Sequence, residues 1–142
     1  MNRAAEIFNY VWTLLEKPDR TPRETELMIH AAHASRFLWE EDGTSVNHAR
    51  GEWQISRAYA VAGRPGPALH HARLCLEIAE AAELKPFDVA CAHEAIARAF
   101  AIAGEMVRAA EHAQVAHHIA EELTDAEERE VILGDLDTLL LD

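Results

Sequence analysis

Residues 57–63 read RAYAVAG, and 41 positions downstream residues 98–104 read RAFAIAG. Aligning 55–80 with 96–121 gives 12 identities in 26 positions, and most of the differences are mild, such as Tyr59 with Phe100 and Val61 with Ile102. Stepping back by 41 gives a fainter third copy, with Trp12 under Trp53, Leu14 under Ile55, and His30-Ala31 under His71-Ala72. Each copy carries apolar residues at helical spacing and is too short to bury its own apolar face. Stacked copies bury those faces against one another, which explains why the phrase recurs.

Outward from the repeat, helix punctuation dominates and no period-2 strand pattern occurs. Thr21-Pro22-Arg23-Glu24 is a capping box with proline at the first helical position, and Thr124-Asp125-Ala126-Glu127 has the form of a second box. Gly43, Gly63 and Gly104 stand where helices end, as expected of left-handed caps. Arg64-Pro65-Gly66-Pro67 reads as a tight break, Asp42-Gly43-Thr44-Ser45 as a stop followed by a serine cap, and Pro86 as a restart. The pattern predicts seven helices, near 2–17, 22–41, 46–62, 67–84, 86–103, 106–123 and 125–140. Short connections make successive helices antiparallel. The fold expected is therefore all-α and a single domain over 1–142. Hairpins 2–41, 46–84 and 86–123 stack in a row, and helix 125–140 closes the row with Val131, Ile132, Leu136, Leu139 and Leu140.

Composition narrows the function. Net charge is −12, and from Glu121 to Asp142 nine acidic residues face one arginine. A nucleic-acid partner needs a basic face, which this chain lacks. No apolar run approaches the length of a membrane span, and the N-terminus has no basic-then-apolar leader pattern, so the expectation is a cytoplasmic protein without a membrane role. Cys75 and Cys91 show no CxxC spacing.

The repeats resemble those of the tetratricopeptide family. Ile55-Ser56-x2-Tyr59, Gly63, Ala68, Ala72 and Cys75 follow its pattern in one unit, as do Ile96-Ala97-x2-Phe100, Gly104, Ala109, Ala113 and Ala116 in the next. The likeness covers roughly 5–123. Glu52 and His93 replace the aromatic that opens the first helix of the family's unit, Ala72 and Ala113 replace the phenylalanine of the second, and the repeat is 41 residues long, as in the kinesin-light-chain type. The resemblance implies a right-handed superhelix whose first helices line a concave groove.

On that groove the stripe beside Ile55 and Tyr59 is Arg50, Trp53 and Arg57; its counterparts are Cys91, Glu94 and Arg98, and Asn9, Trp12 and Glu16. Indole supplies apolar area at little entropic cost and guanidinium forks onto carboxylates. Trp12, Arg50, Trp53, Arg57, Glu94 and Arg98 are thus the candidate peptide-binding residues. The same residues have an internal reading, with Glu94 and Arg98 as an i, i+4 pair and Arg57 stacked on Trp53.

Nine histidines raise a second reading, a helical metal site built from Glu26, His30 and His33. Against it, His93-Glu94 is followed by Ala97 where a zinc-protease pattern needs histidine. His30, His71 and His112 also occupy equivalent repeat positions, on the order of 10 Å apart at the helix axes. Solvated faces and inter-helix hydrogen bonds account for histidines so placed, and several would charge between about pH 5 and 7. The segment 33–50, with Arg36, Trp39, Asn47 and His48, departs from the repeat. No GxSxG, GxxxxGK[ST] or GxGxxG motif occurs. The expected function is non-enzymatic and needs no cofactor: an adaptor for a protein segment, acting as a monomer or a homodimer.

Overall fold

The computed structural model describes residues 2–139. It contains seven helices and, among the described residues, no strand: α1 (Arg3–Leu15), α2 (Pro22–Asp42), α3 (Ser45–Val61), α4 (Pro65–Ala81), α5 (Pro86–Ile102), α6 (Met106–Glu122) and α7 (Ala126–Asp137). The all-α expectation holds. Leu140, expected on the last helix, lies outside the described residues.

Local chemistry explains most of the boundaries. Thr21 Oγ1 accepts from the Glu24 N–H at 3.1 Å while the Glu24 carboxylate accepts from the Thr21 N–H at 3.0 Å, so the first capping box forms as read. The second shifts by one residue: Asp125 caps α7 by accepting from the Glu128 N–H at 3.1 Å. Before α3 the cap is Thr44, not Ser45, and the Asn47 side chain accepts from the Thr44 N–H at 3.0 Å. The expected break at Arg64–Pro67 is in fact the first turn of α4. Prolines at its first and third positions cost nothing there, because the leading N–H groups of a helix have no intrahelical acceptor.

Three helix ends share one device. The Arg64 N–H donates to Tyr59 O, the Leu84 N–H to Ala79 O and the Glu105 N–H to Phe100 O, each at 2.9 Å and five residues back. Such a 6→1 bond needs a left-handed residue just before its donor. Gly63 (φ 75°) and Gly104 (φ 82°) supply it at two ends, but Glu83 (φ 52°) supplies it at the third, against its own side-chain sterics. Gly43 ends α2 for another reason: its backbone is extended, and a Cβ there would meet Trp39 O at 2.8 Å.

Each helix packs on its successor, and α1 meets α3, α3 meets α5 and α5 meets α7. Among the described residues the backbones of α2, α4 and α6 do not pack on one another, although His33 of α2 and His71 of α4 meet with ring centroids 5.3 Å apart and Glu26 pairs with Arg64 at the start of α4. The result is a row of odd-numbered helices backed by the even-numbered ones. Alanine forms the seam: Ala68, Ala72 and Ala79 of α4, Ala90, Ala92 and Ala97 of α5, and Ala109, Ala116 and Ala120 of α6 are all fully buried. A methyl side chain loses no rotamer entropy and lets helix backbones come close. The 41-residue period survives in side-chain geometry. Tyr59 stacks on His71 with ring centroids 5.9 Å apart, and Phe100 stacks on His112 at 5.8 Å. At the end of the row, Ile132 of α7 packs with Ala90, Ala116 and Ala120.

Replacing Glu83 with glycine removes the left-handed strain and should raise unfolding stability by about 1 kcal/mol. Gly104→Ala, which meets no steric neighbour, should lower it by about as much through backbone strain alone. Urea denaturation of the two variants measures both shifts, and the opposite signs are the diagnostic result.

Candidate functional site

The inner row encloses a hollow of about 280 Å³. Helix α1 contributes Phe8 and Trp12, one turn apart on the same face; α3 contributes Ala49, Arg50 and Trp53; α5 contributes Phe87, Asp88 and Cys91; α7 contributes Val131 and Asp135. Cys75 of α4 reaches it from behind. Trp12 and Trp53, equivalent in the repeat, lie with ring centroids 5.6 Å apart and planes inclined by 32°. At the rim the Arg50 guanidinium lies 6.0 Å from the Phe87 ring and donates from Nε to Asp88 Oδ1 at 3.3 Å.

Of the six residues read as a groove, Trp12, Arg50 and Trp53 line this hollow, and Arg57, Glu94 and Arg98 do not. Those three form a buried ionic network instead. Glu94 has no exposed surface; Oε1 accepts from Arg57 at 3.1 Å and Oε2 from Arg98 Nε at 2.9 Å. Arg57 also reaches Asp135 at 3.4 Å and lies 4.9 Å from the Trp53 ring. Arg98 continues to Asp135 O at 3.0 Å and Thr138 Oγ1 at 2.7 Å. Burial raises the Asp135 pKa, with Arg57 opposing, and burial lowers that of Arg98, with Glu94 opposing. The internal reading of these residues is therefore the one the geometry adopts.

Several of the histidines join neighbouring helices, while His117 and His118 face exposed glutamates of their own helix. His33 Nε2 lies 2.9 Å from Tyr59 Oη, His71 Nδ1 lies 2.7 Å from Glu52 Oε1, and His93 Nδ1 lies 3.0 Å from His112 Nδ1. Burial opposes ionisation of Glu52, but the hydrogen bonds and charges of His71 and Arg36 together outweigh it and hold its pKa low. Glu26 pairs with Arg64 at 2.6 Å, so the proposed set Glu26, His30 and His33 is dispersed. Among the described residues no three His, Cys, Asp or Glu side chains converge as a metal ion requires. The irregular segment is likewise tied internally. Arg36 donates to Glu52 at 2.8 Å, His48 Nε2 meets Trp39 O at 2.7 Å, and Trp39 packs 5.1 Å from Phe8.

Burial, reinforced by Asp88 and Glu52, pushes the Cys75 thiol up to about 12, and burial with Glu94 raises Cys91 well above its ordinary value. Both thiols stay protonated at neutral pH and are poor nucleophiles. Sequence reasoning missed Phe8, Phe87, Asp88, Val131 and Asp135. Asp88 lies three residues before Cys91, so extending that stripe by one turn finds it, and Phe8, four residues before Trp12, shares the face of Trp12 beside Asn9. Val131 and Asp135 belong to α7, which carries no copy of the repeat.

Glu94→Ala leaves two buried guanidiniums poorly paired and should cost about 3–5 kcal/mol. Arg64→Ala, which breaks a pair with Glu26 whose side chains are 48% and 52% exposed, should cost about 1 kcal/mol or less. Chemical denaturation ranks the two, and the reverse order would refute the network's structural role. Burial lowers the pKa of His33, His93 and His112 below the ordinary 6.5, helped at His33 by His71, at His93 by His112 and at His112 by Arg73. Glu52 opposes this at His33, Glu80 at His93 and Glu111 at His112. The unfolded chain thus binds more protons just below pH 6.5, and the stability these neutral rings contribute is present above that pH and lost as pH falls. Melting temperature should decline from pH 7.5 to 5, and His112→Asn should flatten the decline.

Comparison with protein-family models, with curated proteins and with solved structures finds no match to this chain.

Proposed function

We propose that this chain is a cytoplasmic, tetratricopeptide-like interaction module. Its three hairpins form a right-handed superhelix, and its inner row of helices holds a short segment of a partner protein through one anchor side chain. The hollow between Trp12 and Trp53 carries this reading. Its volume, about 280 Å³, falls just below the roughly 300–1,000 Å³ typical of small-molecule pockets, and suits one large side chain. Aromatic walls give such an anchor large contact area with little loss of freedom. Arg50, half-exposed at the rim, is placed to meet a carbonyl or carboxylate of the segment that carries the anchor. Binding rather than catalysis is favoured by the state of the reactive groups: the two thiols are held protonated, and the Arg57, Glu94 and Arg98 charges satisfy one another.

Selection from a random peptide library against the full chain tests this. Recovered peptides should share an apolar or aromatic anchor. Their affinity should fall at least about tenfold, the scale of one buried contact, in Val131→Asp, which places a charge at the half-exposed rim. Phe37→Asp, at a position 77% exposed on α2 and outside the hollow, should leave affinity unchanged. Peptides insensitive to Val131→Asp would show that the hollow is not the binding site.

A further inference from the structure

The second repeat reverses the charge pattern of the first. In one unit Arg36 donates to Glu52 at 2.8 Å and His71 Nδ1 lies 2.7 Å from the same carboxylate, a closed network. The residues 41 positions on are Glu77, His93 and His112. The guanidinium has become a carboxylate, and the carboxylate an imidazole. One unit thus carries its own cation, whereas the other offers only groups with lone pairs. Gly51 clears the path of Arg36, since a Cβ there would meet Arg36 Cδ at 2.8 Å. Ala92 fills the equivalent place, and Glu77 stands exposed. What remains is a bare contact between two imidazoles, His93 Nδ1 and His112 Nδ1, at 3.0 Å across α5 and α6. Two neutral rings so placed share a single proton. Metal–imidazole bonds are about 2.0–2.1 Å long, so an ion bonded to both nitrogens at 3.0 Å would open an angle of about 95°. That is the angle between neighbouring ligands in a tetragonal or octahedral shell.

We propose that His93 and His112 bind a divalent transition-metal ion through Nδ1, with Glu80 turning in as the third ligand and water completing the shell. The ion replaces the shared proton and takes the place that the Arg36 guanidinium holds in the other unit. Only the two nitrogens are already in position. The carboxylate comes from an exposed side chain on the last turn of α4, beside an open hollow of about 410 Å³ that leaves it room to turn. Glu77 borders the same hollow, but Glu80 is the one whose charge reaches His93. Ligation needs neutral rings. Burial favours the neutral form of both, with Glu80 opposing at His93 and Glu111 at His112, and Arg73 reinforcing burial at His112. Two nitrogens and one carboxylate suit copper(II), nickel(II) and zinc(II), and copper(II) binds most tightly of the three.

Copper(II) alone, added to the untagged full chain at pH 7.5, tests this by calorimetry and electron paramagnetic resonance. One equivalent should bind, and the spectrum should show coupling to two nitrogens. His112→Asn and His93→Gln keep a hydrogen-bonding side chain at each place. Each should weaken binding at least about tenfold, the scale on which metal sites respond to loss of a supporting group, and should remove one nitrogen from the spectrum. His93→Gln carries the test if His112→Asn does not fold. Glu80→Gln should weaken binding severalfold and leave both nitrogens in place. Joint replacement of His117 and His118 by asparagine removes two exposed imidazoles on the same helix and should change nothing. Binding that survives His112→Asn and His93→Gln, or that disappears with His117 and His118, would overturn the proposal. Absence of stoichiometric binding would overturn it as well.

Discussion

A single carboxylate holds the inner row in register. Glu94 sits on α5 with no exposed surface and takes Arg57 from α3 on one oxygen and Arg98 from its own helix on the other. Arg98 then extends to the backbone and side chains at the end of α7. Removing a carboxylate from water is costly unless it is paired and hydrogen-bonded, and Glu94 draws its partners from α3 and from its own helix α5, while the same two arginines carry the network on to α7. Apolar contacts between alanine-rich helices are non-directional and permit sliding. The ionic network does not.

The hollow follows from that constraint. Small residues draw the helices together along the seam, while Phe8, Trp12, Trp53 and Phe87 are too large to close the gap between α1, α3 and α5. Arg57 and Arg98 are committed to Glu94 and Asp135, so the charged side chains that line the hollow are Arg50, Asp88 and Asp135, and aromatic rings supply most of the bulk that keeps it open.

Much of the fold was legible from the repeat, the caps and the glycines, because helix ends are written in local chemistry that a sequence displays directly. The misplacements have local causes too: two prolines look like a break although the first turn of a helix accepts them, and adjacent Thr44-Ser45 or Thr124-Asp125 offer two caps where backbone geometry selects one. The site was legible by half. Trp12 and Trp53 were picked out because the period carries them and Arg50 because it lies one turn before Trp53, whereas the pairing of Arg57 and Arg98 also involves Asp135, far downstream of Arg57, and Thr138, 40 residues from Arg98, both outside the repeat. Charge pairing across that distance leaves no trace in spacing. The exchange of Glu52 for His93 opposite an equivalent histidine shows the converse: the repeat preserves a contact while changing its chemistry.

The backbones of α2, α4 and α6 are linked by side chains and not by close packing: His33 of α2 lies 5.3 Å from His71 of α4, and Glu26 of α2 pairs with Arg64 at the start of α4. Bending of the array is therefore resisted along that edge by polar, partly hydrated contacts, which yield more readily than the dry alanine seam on the other side of the same helices.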